Sequence, residues 1–158
     1  MKAPEFIDVA LLDGASAKAR TSARLRKNHN FHALDSDICN RLLNAMEPGS
    51  YVVPHRHLDP DKDETFVVLR GRFGLVLFED AGAVTRQVVL DSAGPVFGVT
   101  IAHGTYHSLV SLAPGAVFFE AKAGPYAALT AEERAPWAPA EHDPSAAEYR
   151  ARIEALFI

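Results

Sequence analysis

Short apolar runs dominate the chain from residue 41 onward, and Gly, Pro and Asp residues separate them. Runs of this length, bounded by residues that favour turns, are typical of β-strands. We predict eight strands, over residues 41–47, 50–55, 64–70, 73–79, 85–90, 96–101, 106–112 and 116–122. Many short strands at spacings of about 8 to 12 residues predict an all-β sandwich or barrel.

The two ends of the chain have a different pattern. Residues 6–26 are rich in Ala, Leu, Lys and Arg and predict one or two short helical turns, with Asp13 and Ser16 available as caps. Asp143 followed by Pro144 predicts the start of an amphipathic C-terminal helix that packs on the barrel. We therefore divide one domain into an N-terminal arm with an extended segment (1–40), a barrel core (41–125) and a C-terminal loop and helix (126–158).

Histidine and glutamate side chains recur near the predicted strands. His55 and His57 are two residues apart, so an extended backbone would place both imidazoles on one face. Glu64 follows, and His107 lies on a later predicted strand. Imidazole and carboxylate together suit a divalent transition metal, so we predict one ion of Fe, Mn, Ni, Co or Zn bound by these four residues.

The spacing of these residues resembles the first motif of the cupin superfamily, G-x5-H-x-H-x(3,4)-E-x6-G. Gly49, His55, His57, Glu64 and Gly71 occupy its positions, although the loop before Glu64 has six residues and is longer than usual. The resemblance implies a cupin jelly-roll barrel with short helices at its N-terminal and C-terminal ends. It also implies a bound metal.

The second cupin motif, G-x5-P-x-G-x2-H-x3-N, is matched in part. Gly104 and His107 fit, whereas Ala102 stands in place of its proline and Ser111 in place of its asparagine. Longer phrases are similar to the WbuC family of bacterial cupin-fold metalloproteins, namely RLLNAMEPGSYVVPHRH, ETFVVLRGRFGLVLF, GPY and APWAP. Members of that family occur with O-antigen and other polysaccharide gene clusters, which implies a sugar or sugar nucleotide as the small-molecule substrate.

Other polar residues are candidates for binding a substrate: Asn30, His32, Arg41, Tyr106, Glu120 and Lys122. An arginine such as Arg41 or Arg56 would bind a carboxylate or phosphate in a fork, but Arg56 alternates with the histidines and should point away from them. Glu120 and Lys122 share a strand face. They fit either the cavity or an exposed cross-strand ion pair.

Composition limits the classes of function. A formal net charge of −4 argues against nucleic acid as a partner, and no apolar run is long enough to span a membrane. Cys39 is the single cysteine and no signal peptide is evident, so we expect a cytoplasmic protein. Both faces of residues 64–70 are largely apolar, which leads us to expect a homodimer or a covering segment outside the barrel.

Three functions remain open at this point. The first is a metal-dependent small-molecule enzyme, an isomerase or epimerase or a dioxygenase, in polysaccharide sugar metabolism. The second is a metal-binding sensor or assembly module without turnover. The third is a metal-independent sugar isomerase in which His32 or His107 acts as the base.

Overall fold

Two antiparallel sheets form the body of the protein, and a helix lies near each end of the chain. A computed structural model describes residues 3–158. The elements in chain order are α1 (Val9–Arg20), β1 (Arg26–Asn30), β2 (Cys39–Met46), β3 (Glu64–Arg70), β4 (Arg72–Phe78), β5 (Val84–Asp91), β6 (Gly98–Ile101), β7 (Tyr106–Ser111), β8 (Ala116–Ala123) and α2 (Ala146–Glu154). A short 3-10 turn, Ala155–Phe157, follows α2.

The larger sheet has the strand order β1-β2-β8-β3-β6, and the smaller sheet has the order β5-β4-β7. The main hydrophobic core draws side chains from both sheets: Met46, Phe66, Val68, Phe73, Leu75, Leu90, Ile101, Leu109, Ala116 and Phe118. Facing antiparallel sheets that share one core form a β-sandwich, the architecture to which jelly rolls belong, and the predicted all-β jelly-roll fold is confirmed.

The inner face of the larger sheet is polar at one end of the barrel and apolar at the other. On β8, Ala116 and Phe118 belong to the core, while Glu120 and Lys122 on the same face lie further along the strand. On β3, Glu64 pairs with Lys122, and Phe66 and Val68 point toward the core. The barrel is therefore packed with apolar side chains at one end and carries charged side chains at the other.

Helix α1 covers the outer face of the larger sheet. Leu12, Ala15 and Ala19 pack against Leu43 and Val117, which are fully buried. The helix is longer than the one or two turns predicted from the sequence, and the predicted caps are wrong. Its N-cap is Asp8, whose carboxylate accepts a hydrogen bond of 2.9 Å from the backbone N–H of Leu11.

Asp13 and Ser16, the two residues predicted to cap this helix, lie inside it and bind the barrel. The Asp13 carboxylate pairs with Arg70, and the Ser16 hydroxyl donates to the carbonyl of Gly115 at 3.1 Å. The two contacts attach α1 to one end of the larger sheet, at the last residue of β3 and at the turn before β8.

The C-terminal helix packs on the smaller sheet, as predicted, but it begins two residues later. Ser145 is the N-cap of α2, and Asp143 instead accepts hydrogen bonds from the N–H and hydroxyl of Ser145. Ile153 is buried with Val76 and Val110 of the smaller sheet. Neither helix within residues 3–158 combines the length and apolar character needed to cross a membrane.

The strand predictions differ from the structure at two places. Strand β1 lies in the predicted extended segment and is not among the eight predicted strands, because it carries few apolar residues, yet it pairs with β2 along five positions as an edge strand. Residues 50–55 do not form a regular strand, because Pro54 has no N–H to donate and only His55 forms a β-bridge.

The packing of α1 on the larger sheet predicts a large loss of stability when a buried side chain between them is shortened. Leu43→Ala should lower the free energy of unfolding by about 2–5 kcal/mol, because it leaves a cavity at a fully buried position. Urea unfolding measures the change. Val84→Ala, at a position 44% exposed, is the control and should change stability by no more than about 0.5 kcal/mol. Equal effects of both substitutions would contradict this packing.

Candidate metal centre

Backbone pairing sets His55 beside His107. The N–H of His55 donates to the carbonyl of His107 at 3.0 Å, and the N–H of His107 donates back to the carbonyl of His55 at 2.9 Å. Residues directly opposite each other in an antiparallel pair project their side chains to the same face. The two imidazole rings accordingly lie with their centroids 4.6 Å apart.

A separate set of contacts brings His57 to Glu64. The carbonyl of His57 accepts a hydrogen bond of 2.6 Å from the N–H of Gly104, which has the positive φ of +77° that its turn requires. Glu64 is the first residue of β3 and is buried between β6 and β8. The turn at Gly104 thus holds the histidine against the start of β3.

Glu64 is the centre of the cluster. Its Oε1 lies 2.7 Å from His57 Nε2 and 2.9 Å from Lys122 Nζ, and its Oε2 lies 3.2 Å from His107 Nε2. One ligand atom from each of His55, His57 and Glu64 lies within 4.8 Å of the others. The structure therefore brings all four predicted ligands together, and His107 lies beside the group formed by the other three.

The orientations of two histidines fit metal binding. The Nδ1 of His55 is 2.9 Å from the carbonyl of Val53, and the Nδ1 of His107 is 3.0 Å from the carbonyl of Thr105. Donation from Nδ1 to a carbonyl leaves the lone pair of Nε2 free to coordinate. The Nε2 of His107 is buried, and its contact with Glu64 lacks hydrogen-bond geometry, so it has no hydrogen-bond partner among residues 3–158. A metal ion would provide that partner.

The electrostatics also favour a cation at this point. Loss of water around the ring, together with the neighbouring His107, lowers the pKa of His55 to about 3, so this imidazole stays neutral at ordinary pH. Burial alone would raise the pKa of Glu64, but the side chains of His107, His57 and Lys122 outweigh it and hold that pKa well below its usual range. The cluster thus offers a neutral imidazole beside an ionised carboxylate.

Lys122 connects the cluster to a second carboxylate. Its ammonium lies 2.9 Å from Glu64 and 2.7 Å from Glu120, and Glu120 accepts a hydrogen bond of 2.7 Å from the amide of Asn44. Burial would lower the pKa of Lys122, but the two carboxylates raise it above its usual value. The charged groups form a continuous chain along the inner face of the larger sheet.

A cavity of about 790 Å³ opens over this face. Its wall includes the four predicted ligands and four of the predicted substrate-binding residues, Asn30, His32, Glu120 and Lys122. His32 is buried, and its Nδ1 lies 3.1 Å from the carbonyl of Arg41. The volume is sufficient for a small organic molecule.

The structure places the other two predicted residues outside this cavity wall. Arg41 is exposed on the outer side of β2, because it alternates with the inward-facing Asn40 and Leu42. Tyr106 is buried on the opposite side of the smaller sheet, where its ring packs on Trp137 and lies 4.4 Å from the guanidinium of Arg56. As predicted, Arg56 points away from the histidines.

Asn44 and Arg134 are among the cavity residues that were not identified from the sequence. Asn44 is a polar residue within the apolar run RLLNAM, and that interruption is a signal that could have identified it. Arg134 lies far along the chain, opposite His55 in an isolated antiparallel bridge. No local pattern indicates that pairing.

Comparison with protein families gives a match to a domain of unknown function, DUF6016, over residues 7–90. That range is more than half of the 158 residues. The chain belongs to the DUF6016 family. The matched range contains His55, His57 and Glu64 and ends before His107. No curated protein matches this DUF6016 protein.

Solved structures with a similar fold share little sequence with this DUF6016 protein. KdgF from Halomonas sp. is 17% identical, with a TM-score of 0.52 over 68% of this chain and 85% of its own. The conserved SPY1581 protein of unknown function from Streptococcus pyogenes is 8% identical, with a TM-score of 0.53 over 80% and 93%. The capsular polysaccharide assembling protein CapF from Staphylococcus aureus is 16% identical, with a TM-score of 0.55 over 72% and 32%. These likenesses establish the fold.

The lowered pKa of His55 predicts acid sensitivity of the metal-free protein. Unfolding returns this histidine to a pKa near 6.5, so between about pH 6.5 and pH 3 the unfolded chain binds more protons than the folded one. The contribution to stability is complete above pH 6.5 and is lost as the pH falls. It should reduce the free energy of unfolding by about 2 kcal/mol between pH 7 and pH 5.

Urea unfolding of chelator-treated protein at pH 7 and pH 5 measures this loss. His55→Gln should lose less stability than the parent over the same interval, because glutamine does not titrate. His142→Gln removes an exposed histidine and should behave as the parent does. An unchanged loss in His55→Gln would show that another group causes the acid sensitivity.

Proposed function

We propose that this DUF6016 protein binds one divalent transition metal ion through His55, His57, Glu64 and His107 and is a metal-dependent enzyme acting on a small molecule. The convergence of three imidazoles and a buried carboxylate on the wall of an open cavity supports the proposal. Fe, Mn, Ni, Co and Zn all accept this ligand set.

The bound ion would supply a Lewis acid to polarise a carbonyl or hydroxyl, or a site for O2. Around it, hydrogen bonds from Nδ1 to backbone carbonyls hold the rings of His55 and His107 in one orientation. Lys122 holds one oxygen of Glu64 and so limits the rotation of the carboxylate. The cavity side of the cluster is where a substrate would enter.

The proposed substrate is a sugar or sugar nucleotide, and the proposed reaction is an isomerisation, an epimerisation or an oxidation by O2. The similarity of the sequence to the WbuC family supports this choice, and we propose that the chain is WbuC-like. The name of CapF, a capsular polysaccharide assembling protein of related fold, agrees with a role in bacterial polysaccharide synthesis. We place this role in the cytoplasm, and a homodimer stays a prediction.

Two alternatives lead to different experiments. A metal-independent isomerase is favoured by one observation, which is that His32 lines the same cavity as the predicted ligands and is available as a base. A non-catalytic metal sensor would retain the ion without turnover.

Metal content tests the ligand assignment. Protein purified without chelator should contain about one equivalent of metal by plasma mass spectrometry, and the His55→Ala/His107→Ala variant almost none, because two of four ligands are lost. His57→Ala and Glu64→Gln should each lower metal affinity strongly while circular dichroism shows a folded protein. His29→Ala/His142→Ala removes two histidines outside the cluster and should bind metal as the parent does. Equal metal content in the two double variants would refute the assignment.

Chelation separates the three functions. Metal-loaded protein should convert a sugar nucleotide or consume O2 in a screen, lose the activity on chelation and regain it when the metal is restored. Activity that survives chelation, and is lost in His32→Gln, would instead establish the metal-independent isomerase. A protein that binds metal tightly and turns over no compound would favour the sensor.

A further inference from the structure

Arg134 is brought beside the ligand cluster by backbone pairing. The N–H of Arg56 donates to the carbonyl of Glu133 at 2.9 Å, and the N–H of Ala135 donates to the carbonyl of Pro54 at 3.0 Å. These bonds place Arg134 directly opposite His55, which also pairs with His107 on its other side. Opposed residues share a face, so Arg134 and both histidines project toward the cavity that all three line.

Other arginines and lysines of the cavity wall are already neutralised or directed elsewhere. Lys122 pairs with Glu64 and Glu120. Arg24 and Arg26 both pair with Glu141. Two further cationic residues line the wall, Lys27 and Arg134.

Lys27 is opposite Ala45, which packs under α1, so its side chain is on the outer face of the sheet. Arg134 has no carboxylate partner in the part of the chain that the structure describes, and it is exposed at the cavity wall. It is therefore the cation of this wall that is free to bind an incoming anion.

The neighbouring carboxylate of Glu133 does not neutralise Arg134. It accepts hydrogen bonds from the backbone N–H groups of Leu58 and Thr130, at 3.1 Å and 2.9 Å, and lies 3.9 Å from Nδ1 of His57. Adjacent residues in an extended segment point to opposite faces, and Glu133 is not part of the cavity wall.

The charges on the cavity side favour an anionic ligand. Glu64 and Glu120 carry two negative charges against the one positive charge of Lys122. A divalent ion at the cluster would leave this end of the cavity with one positive charge, and Arg134 raises it to two. Neighbouring strands lie about 4.8 Å apart, so a ligand at His55 is within reach of the arginine side chain opposite.

We propose that Arg134 recognises a carboxylate or phosphate group of the molecule that binds at the metal cluster, and so determines specificity for anionic substrates. This inference rests on the proposed metal-dependent function. A guanidinium binds either group in a two-pronged, charge-assisted contact, which a lysine at the same position cannot reproduce.

Calorimetric titration of the fully metal-loaded protein tests this role. The probes are glycolate for a carboxylate, inorganic phosphate for a phosphate, and glycolamide as the uncharged match to glycolate. Arg134→Gln should weaken binding of at least one of the two anions by about tenfold or more and leave glycolamide unaffected. Arg134→Lys should bind with intermediate affinity, because it keeps the charge and loses the fork.

Arg86→Gln is the matched control, because it removes an exposed arginine from β5 with the same change in net charge. It should bind every probe as the parent does. The anion that loses more affinity in Arg134→Gln identifies the group that the arginine prefers. Equal affinity of the parent and Arg134→Gln for both anions, or no binding of either anion to the metal-loaded parent, would refute the role of Arg134.

Metal content measured on the same samples separates this result from the proposed function. A parent protein that takes up no metal would refute the proposed function and, with it, the inference. A parent protein with one equivalent of metal, whose anion affinity is independent of Arg134, would refute the inference alone.

Discussion

A buried carboxylate, that of Glu64, is the group on which the arrangement of this barrel depends. Removing an ionised carboxylate from water costs several kcal/mol unless other groups compensate for the lost hydration. Here the compensation comes from His57, in a loop, and from Lys122, on the larger sheet, while His107 of the smaller sheet lies 3.2 Å from the same carboxylate. Because side chains from three parts of the fold meet at Glu64, its position connects the two sheets where the cavity opens.

The same requirement determines which end of the barrel can carry chemistry. With Glu64 facing inward, alternation directs Phe66 and Val68 inward as well, and these pack with Phe118 in the main core. The polar ends of β3 and β8 therefore continue directly into close-packed apolar ends. A cluster of side chains built on strands that are anchored in this way is held more rigidly than one built on loops.

The segments outside the barrel contribute to the site as well as to packing. Helix α1 and the C-terminal helix cover the outer faces of the two sheets, which explains why apolar residues occur on both faces of several strands. Between β8 and α2 the chain returns to the ligand-bearing segment and pairs with residues 54–56. That return places Arg134 beside His55, so a residue remote in sequence becomes part of the cavity wall.

Local patterns in the sequence were sufficient for seven of the eight strands in the part of the chain that the structure describes, and for the types of ligand. The limits predicted for β3, residues 64–70, are those observed, because turn residues bound that run on both sides. The two-residue spacing of His55 and His57 predicted that they share a face, since side-chain direction on an extended backbone depends only on near neighbours. Glu64 lies beyond a six-residue loop and was predicted from its ligand type and its place in the motif that resembles the cupin motif. Only the tertiary structure decided that Arg41 and Tyr106 lie outside the cavity wall and that Asn44 and Arg134 lie in it. The reason is physical: these positions depend on which strands pair and which segment covers which sheet, and such long-range contacts leave no periodicity in the sequence.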